Sequence, residues 1–260
     1  MNGTVSLDIS GPLAQVTLAH PARFNAMSRV MWRELRAVFK ALPQNSALRC
    51  VLIRGEGGHF CAGGDISEYT GFRFAEDTLR DFHEGDVWDG LQAMLDCDLP
   101  IVAQIEGNCM GAGLEIASCC DLRLASESAR FGAPIAKLGF PMAPREAALV
   151  MCAVGELTAR EMLLTAALLD AAEMKRRGFL NDVVFAGELS AAALACAGRI
   201  SQLAPQAARL NKQCFRALAP VIRAQNATDL IANPYHYAAM SEHREGVTAF
   251  VEKRPPRFDR

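Results

Sequence analysis

The sequence predicts an α/β fold in which a repeated strand–strand–helix series fills the first half and helices fill the last third. Two patterns carry this prediction. Up to about residue 144, short apolar runs alternate with segments whose apolar side chains recur at helical spacing. Beyond residue 144, helical spacing dominates and alanine becomes frequent. We therefore expect a core over residues 1–190 and a C-terminal helical region over residues 191–260.

The first elements follow from alternation and from a capping residue. Residues 4–10 and 13–19 alternate apolar and polar side chains on either side of a Gly-Pro pair, which predicts a β-hairpin. Residues 28–41 carry apolar side chains at helical spacing, and Ser28 is of a type that often caps helix starts. A helix is expected there.

The rest of the first half is predicted to alternate strands, glycine loops and helices. In chain order these are the strand CVLIRG, a first glycine loop, a long helix over residues 74–96, the strand PIVAQIEG, a second glycine loop GNCMGAG, the short helix LEIASCC and the strand DLRLAS. Each strand is a short apolar run bounded by turn signals.

The last part of the chain is predicted to be almost entirely helical. Helices are expected over REAALVMCAV, LTAREMLLTAALL and AAEMKRRG, with NDVVF as one strand. Residues 187–253 are expected to be helical throughout, with breaks at Pro205, Pro220 and Pro234. Because these helices are amphipathic and rich in alanine, we expect them to pack on the core or on another subunit.

Length, charge and cysteine usage limit the class of protein. The chain of 260 residues carries a net charge of −2, which gives no indication of a nucleic acid or an anionic membrane as partner. Its nine cysteines form no CxxC motif and lie mostly in apolar runs, which is typical of buried free thiols in a reducing compartment. With no signal-peptide pattern and no apolar run of membrane length, a cytoplasmic protein is expected.

Two glycine loops, CAGGD and CMGAGLE, are the most informative motifs. Each follows an apolar strand and precedes a helix, where unpaired backbone N–H groups favour negative charge. Phosphate binding is the ordinary interpretation of one such loop, but neither loop matches the Walker pattern or the GxGxxG fingerprint. A pair of loops whose amides converge predicts an oxyanion hole for a carbonyl oxygen that gains charge.

Five segments occur in a fixed order along almost the whole chain: HPARFNAMS, FCAGGDI, GNCMGAGLEIASCCDLRLAS, ARFGAPIAKLG and HREGVTAFVEKRPPRF. In that order they resemble the enoyl-CoA hydratase/isomerase superfamily, also called the crotonase family. The resemblance implies a crotonase-like spiral of strand–strand–helix repeats with a C-terminal helical region that forms trimers, often paired into hexamers. It also implies that the backbone amides of Gly64 and Ala112 form the oxyanion hole.

Glu115 is the candidate catalytic residue. It lies inside the apolar segment GAGLEIASCC, where a lone carboxylate is costly. From the residues alone, it is either an acid paired with a buried arginine such as Arg123 or a general acid/base with a raised pKa. The resemblance favours catalysis, because Glu115 matches one of the two acids that flank the substrate in the hydratases of the family.

The position that matches the second acid of those hydratases holds Ile135, within FGAPI. Because isoleucine neither orients water nor carries a proton, the residues favour a reaction with a single acid. Glu146 or Glu84 could substitute from another segment, although we expect each of them on a solvated helix face. Arg145 at a helix start is expected at the surface, and the alternative is that it binds a carboxylate on the acyl group of the substrate.

The resemblance also implies a coenzyme A site. Arg23 matches a basic position that meets the phosphates, and Ala62 matches a position whose backbone meets adenine. Phe250 and Lys253 match C-terminal positions that reach the ligand of a neighbouring subunit. For Lys253, the alternative is a solvated basic tail.

Residues beside the first glycine loop are assigned further roles. Asp65 is expected to cap the helix after the loop and, with Ile66, to belong to the coenzyme A site. Cys61 has only His59 nearby as a base, so core packing is expected rather than a nucleophile. The histidines show no metal-ligand spacing, and no metal site is expected. Asp121 matches a position that we interpret as structural.

Together these residues predict proton transfer on an acyl-CoA thioester. The amides would stabilise a thioester enolate and Glu115 would move the proton, so that double-bond isomerisation is favoured over hydration. The alternatives are decarboxylation or thioester hydrolysis on the same fold, and a non-catalytic acyl-CoA-binding subunit. No metal or redox cofactor is expected, since coenzyme A is part of the substrate. The expected assembly is a homotrimer or a homohexamer.

Overall fold

The structure is a computed structural model that describes residues 3–218 and 231–258. Its strands are, in chain order, β1 Thr4–Ser10, β2 Leu13–Ala19, β3 Cys50–Gly55, β4 Ile101–Ile105, β5 Asn108–Met110, β6 Leu122–Ser126, β7 Arg130–Gly132, β8 Leu168–Asp170 and β9 Asp182–Val184. A six-stranded sheet has the order β1-β2-β3-β4-β6-β9, and a three-stranded sheet has the order β5-β7-β8. The mixed α/β architecture is therefore as predicted.

The α-helices alternate with these strands up to β9 and follow one another after it. They are α1 Arg29–Ala41, α2 Glu76–Arg80, α3 Trp88–Asp96, α4 Ala112–Ser118, α5 Pro144–Val154, α6 Glu156–Thr165, α7 Ala171–Arg176, α8 Leu189–Ser201, α9 Pro205–Leu218 and α10 Ser241–Val251. Short 3₁₀ helices lie at Pro21–Arg23, Leu42–Gln44, Ile66–Gly71, Pro134–Leu138, Ala186–Glu188 and His236–Ala239. In the described residues, no helix combines the length and the apolar character needed to cross a membrane.

The first half of the chain matches its predicted elements closely. β1 and β2 form the predicted antiparallel hairpin, and the hydroxyl of Ser28 accepts a hydrogen bond from the amide of Met31 at 3.2 Å to cap α1. The long helix predicted over residues 74–96 runs from α2 to α3 through a π-helical segment, Asp81–Val87. Such a wide turn inside a helix often marks a functional site.

The later part of the chain corrects two predictions. The helix predicted over LTAREMLLTAALL ends at Thr165, because Ala166 turns left-handed at φ +56°, and the following apolar residues pair as β8 with β7. Residues 187–253 are not helical throughout, since residues 231–235 form bends and turns before a 3₁₀ helix. The predicted break at Pro205 is confirmed, whereas Pro220 lies outside the described residues.

The central strands β3 and β4 of the main sheet are buried on both faces, and the packing on each face follows from the alternation along β3. Val51 and Ile53 point into the large core beneath α1 and α3. Cys50 and Leu52 point to the other side, against a cluster that includes residues of α8. Helices on both faces are the usual covering of parallel strands.

Seven of the nine cysteines are buried, as expected of free thiols in apolar segments, whereas Cys152 and Cys214 are exposed.

Asp121 has the predicted structural role. Its carboxylate accepts a hydrogen bond from the amide of Ile101 at 2.7 Å and pairs with Lys212 at 2.8 Å. These contacts join the start of β4, the loop before β6 and helix α9.

The sheet topology places the two glycine loops side by side. β3 and β4 are neighbouring parallel strands, so their carboxyl ends lie at the same edge of the sheet. The first glycine loop follows β3, and the second follows β4 through the short strand β5. Backbone at the carboxyl ends of neighbouring parallel strands commonly forms a ligand-binding crevice.

Candidate active site

The first glycine loop is held by the segment HPARFNAMS. The side-chain amide of Asn25 donates hydrogen bonds to the carbonyls of Glu56 and His59, both at 2.7 Å. Its oxygen accepts a hydrogen bond from the amide of His20 at 2.8 Å. The amide of Ala62 then donates to the carbonyl of Phe24 at 3.0 Å. Buried side-chain bonds of this kind fix the path of the loop backbone.

The second glycine loop packs directly against the first. The amide of Cys61 donates to the carbonyl of Asn108 at 2.8 Å, and the amide of Met110 donates to the carbonyl of Cys61 at 2.9 Å. Glycine is required at 113, because a Cβ there would come within 2.5 Å of the carbonyl oxygen of Cys61. The two loops are therefore locked together through their backbones.

The amides of Gly64 and Ala112 are available to a ligand. Gly111 takes φ +46° at the start of α4, and Ala112 is the first residue of the helix, so its amide has no intrahelical acceptor. In the described parts of the chain, neither amide donates a hydrogen bond to a backbone or side-chain acceptor. Both residues line one cavity, as two donors for a single oxygen must.

That cavity has a volume of about 520 Å³. It brings together most of the predicted site residues, which are Arg23, Ala62, Gly64, Asp65, Ile66, Ala112, Glu115, Ile135 and Phe250. Lys253 is the exception, since it is exposed after the end of α10 and does not line the cavity. Residues from both glycine loops, from the segment before α5 and from α10 thus share one space.

Glu115 lies on the first turn of α4 and is 9% exposed. Burial is the main cause that raises its pKa to about 8; the nearby carboxyl group of Glu146 acts in the same direction, and the guanidinium of Arg73 opposes both. A carboxyl group whose pKa lies near neutrality can both accept and return a proton. The geometry thus favours the acid/base interpretation of this residue.

The alternative partner for Glu115 is engaged elsewhere. The guanidinium of Arg123 donates hydrogen bonds to the backbone carbonyls of Phe179 and Ala117, at 2.6 and 3.1 Å, and to that of Cys120. Its role is to satisfy carbonyls at the end of α4 rather than to neutralise an acid. The hypothesis that Glu115 is half of a buried ion pair with Arg123 is wrong.

Glu146 corrects a second prediction. It is 2% exposed rather than on a solvated helix face, and its carboxylate lies 2.9 Å from Nδ1 of His83. His83 belongs to the π-helical segment and lines the cavity, and its Nε2 is buried without a hydrogen-bond partner among the described residues. Burial lowers the pKa of His83, which favours the neutral ring. A neutral ring held at Nδ1 by a carboxylate has a basic Nε2.

Glu84 and Arg145 also differ from their predictions. Both are partly buried, and they form an ion pair with 3.1 Å between Oε2 and Nη1. The cation of Arg145 at a helix start is thus matched by an acid from the π-helical segment. Because Arg145 is paired and does not line the cavity, it is not placed to bind a substrate carboxylate.

Of the residues assigned to coenzyme A, Arg23 and Phe250 line the cavity and are exposed, whereas Asp65 lines it and is buried. The guanidinium of Arg23 is half exposed and lies 3.9 Å from the carboxylate of Asp65. Asp65 also accepts a hydrogen bond from the amide of Ser67 at 3.1 Å, so it caps the next helix as predicted. Phe250 is 53% exposed and lines the cavity of its own chain, whereas the resemblance implies the ligand of a neighbouring subunit.

Cys61 and His59 do not form a nucleophile and its base. Cys61 is fully buried, its thiol donates to the carbonyl of Gly63 at 3.5 Å, and burial raises its pKa to about 12. Nδ1 of His59 instead accepts a hydrogen bond from the amide of Asn108 at 3.1 Å. The prediction that Cys61 belongs to the core is confirmed.

Among the cavity-lining residues that sequence reasoning did not assign to the site are Tyr69, Arg73 and His83. The hydroxyl of Tyr69 lies so close to Gly64 that a Cβ at 64 would approach within 2.1 Å of it. The segment that carries Tyr69 and Arg73, EYTGFRF, offers one signal, a lone arginine between two phenylalanines. For His83, no local pattern distinguishes a buried histidine from an exposed one.

Comparison with known proteins gives one consistent result. Residues 8–260 match the family model described as enoyl-CoA hydratase/isomerase. A probable enoyl-CoA hydratase of Rhizobium meliloti is 31% identical over 98% of this chain and 97% of that protein. A short-chain-enoyl-CoA hydratase of Clostridium acetobutylicum is 31% identical, with 96% of this chain and 95% of that protein covered.

Solved structures are similar over the same extent. The crystal structure of an enoyl-CoA hydratase/carnithine racemase from Magnetospirillum magneticum superposes with a TM-score of 0.81 at 33% identity. The match covers 100% of this chain and 96% of that one. An enoyl-CoA hydratase/isomerase from Pseudoalteromonas atlantica superposes with a TM-score of 0.84 at 28% identity, covering 98% and 100%.

Proposed function

The chain belongs to the enoyl-CoA hydratase/isomerase family, and from that premise we propose that it moves the double bond of a 3-enoyl-CoA thioester to position 2. The observation that carries the proposal is the position of Glu115. It is the acid beside the two free amides, and the position of the second hydratase acid holds the apolar Ile135 in the same cavity. Shifting a double bond needs one base, whereas adding water needs a group that holds the water as well.

The proposed reaction assigns one step to each group. The carboxylate of Glu115 removes a proton from the carbon between the thioester carbonyl and the double bond. The amides of Gly64 and Ala112 donate hydrogen bonds to the oxygen of the resulting dienolate. Glu115 then returns the proton to the far carbon of the former double bond. This sequence needs no metal or redox cofactor.

Coenzyme A is proposed to lie on the open side of the cavity. Arg23 supplies a half-exposed cation for its phosphates, and the first glycine loop supplies backbone at Ala62. Phe250 offers an exposed ring at the same opening. Lys253 does not line the cavity of its own chain, so a role for it depends on a neighbouring subunit.

We expect the wild-type protein to convert 3-hexenoyl-CoA to 2-hexenoyl-CoA faster than it hydrates crotonyl-CoA. The reason is that one base completes the first reaction, while the second also requires a positioned water. Mass spectrometry of the products separates the two outcomes, since only hydration adds the mass of water. Efficient hydration of crotonyl-CoA with slow isomerisation would contradict the proposal. Release of carbon dioxide or free coenzyme A from a thioester panel would indicate decarboxylation or hydrolysis instead.

Hydration is a second candidate, favoured by His83, which lines the cavity and whose buried Nε2 has no hydrogen-bond partner among the described residues. With Nδ1 held by Glu146, Nε2 could hold a water and accept its proton. The variant His83→Asn decides between the two candidates. If isomerisation is the function, this variant keeps most of that activity; if hydration is the function, hydration falls by about 10²-fold or more.

We also propose a homotrimer or a homohexamer. Large apolar side chains are exposed on the late helices, including those of Leu157, Leu164, Phe215 and Leu218. Leaving such side chains in water is unfavourable, and subunit contacts would cover them. We expect light scattering at micromolar concentration to give a mass of three or six chains. A monomer would overturn this proposal and remove any role of Lys253 in a neighbouring site.

A further inference from the structure

Arg73 is a buried cation on the wall of the cavity. It follows the 3₁₀ helix Ile66–Gly71 and is 1% exposed. Cζ of its guanidinium lies 4.2 Å from the ring centres of both Tyr69 and Phe140, and these two ring centres are 6.1 Å apart. The cation–π contacts hold the guanidinium at the cavity wall without supplying a negative charge.

The N–H groups of this guanidinium are largely unused. A guanidinium has five donors. Among the described residues, Nη2 of Arg73 donates to the hydroxyl of Tyr237 at 3.4 Å, which is long for such a bond, and the hydroxyl of Tyr69 is a second neutral partner. Nε is buried without a hydrogen-bond partner among the described residues. Within the same residues, no carboxylate oxygen lies within ion-pair distance of Arg73.

Neither nearby acid forms an ion pair with Arg73 within the described residues. The carboxylate of Glu146 is hydrogen-bonded to His83 instead, and burial raises the pKa of Glu115 to about 8 even though Arg73 acts to lower it. Burial thus disfavours the charged form of Glu115 and works against an ion pair with Arg73. Burying a cation without a negatively charged partner is costly, so the site fits an anion that arrives with the ligand.

We propose that Arg73 binds a carboxylate at the far end of the acyl group, so that the substrate is a coenzyme A monothioester of a dicarboxylic acid. A carboxylate matches the guanidinium edge with two parallel hydrogen bonds. Arg23 is half exposed, so it can bind the phosphates of coenzyme A at the opening of the cavity. Arg73 is fully buried, so it can bind the far end of the acyl group inside the cavity. This inference rests on the proposed coenzyme A thioester function and deepens it.

Binding of saturated thioesters tests the inference without depending on any reaction. Succinyl-, glutaryl- and adipyl-CoA are compared with their methyl esters by calorimetry on the wild-type protein. We expect at least one acid to bind about 30-fold or more tightly than its ester, because the ester removes one partner of a buried charge pair. The acyl length that gives the largest ratio of acid affinity to ester affinity shows how far the bound carboxylate lies from the thioester.

Two variants assign the preference to Arg73, and a third is the control. Arg73→Met has a similar packing volume without the charge, and it should bind acid and ester equally. Arg73→Lys keeps the charge but loses the paired donors, and it should keep part of the preference. Arg244→Gln removes an arginine that stacks on Phe74 at 4.4 Å outside the cavity, and it should keep the full preference.

The outcomes distinguish a failure of the carboxylate-binding inference from a failure of the proposed thioester function. If every wild-type ester binds as tightly as its acid, or if Arg73→Met keeps the preference, the inference is wrong and the thioester function stands. If neither acids nor esters bind below millimolar concentration, the thioester function is wrong and the inference falls with it. The wild-type comparison needs no variant, so a failure of Arg73→Met to fold leaves the test intact.

Discussion

Replacing Glu115 by Gln is expected to lower the isomerisation of 3-hexenoyl-CoA by about 10²–10⁴-fold, the usual contribution of a general acid/base group. Gln has nearly the same shape as Glu and cannot accept the proton. The wild-type rate should also rise as the pH passes through about 8, where the carboxyl group of Glu115 is half ionised, and level off above that pH. Stopped assays from pH 6 to pH 9 measure both effects.

A stability measurement shows whether the Glu115→Gln variant is folded and also tests the raised pKa. The folded pKa of Glu115 is about 8 and its ordinary value is 4.5, so between these values the unfolded chain has lost a proton that the folded chain keeps. The free energy of unfolding therefore falls as pH rises through that window, by up to about 1.4 kcal/mol per pH unit. Below pH 4.5 Glu115 has no such effect.

Glutamine does not titrate, so the variant lacks this loss. Denaturant unfolding at pH 5 and pH 8 should show that the free energy of unfolding falls less between these pH values for Glu115→Gln than for the wild type. If the variant keeps full activity, the proton is moved by another group, for which His83 is the candidate in the same cavity. If the variant loses activity but its free energy of unfolding falls with rising pH as much as that of the wild type, the pKa of Glu115 is not raised.

The sequence predicted those parts of the fold that depend on local pattern. The hairpin, α1 with its Ser28 cap and the strand β3 all follow from alternation, helical spacing or a capping residue. The three-residue strands of the second sheet did not follow, because three residues are too few to show a period of two. β8 was assigned to a helix since its leucines continue an apolar run in which strand and helix are indistinguishable.

From the sequence, the site could be predicted only where a functional residue lies within or beside a recognisable motif. Gly64, Ala112 and Glu115 belong to the two glycine-loop motifs, and all three line one cavity in the structure. His83 and Glu146 are 63 residues apart, and their contact depends on how the π-helical segment packs against α5. No spacing rule relates such residues, so Glu146 was predicted to lie on a solvated helix face although it is buried and raises the pKa of Glu115.

The same distant contacts decide how Glu115 behaves. Burial alone raises its pKa, Glu146 raises it further and Arg73 lowers it, so the final value depends on two groups from other elements. If a substrate carboxylate neutralises Arg73, the opposing effect weakens. Substrate binding would then raise the pKa of Glu115 further, so that a higher pH is needed in the complex to form the carboxylate that acts as the base.

Replacing Ala112 by Pro is expected to lower turnover by about 10²–10³-fold, the usual effect of removing one oxyanion-hole donor. Proline deletes the backbone N–H that the proposed reaction directs at the thioester oxygen. Ala112 is the first residue of α4, a position where proline is well tolerated, and Gly111 before it already lies outside the helical region that a following proline disfavours. The helix should therefore form in the variant.

The matched control is Glu156→Pro. Glu156 is likewise the first residue of a helix, α6, and follows a glycine with positive φ, Gly155 at +84°, but it is exposed and outside the cavity. Both variants should show wild-type circular dichroism, and only Ala112→Pro should lose turnover. Affinity for a saturated thioester should change far less than kcat, because the oxygen of the ground-state thioester carries little charge. If both variants turn over alike, the amide of Ala112 does not stabilise the dienolate, and the proposed oxyanion hole is wrong.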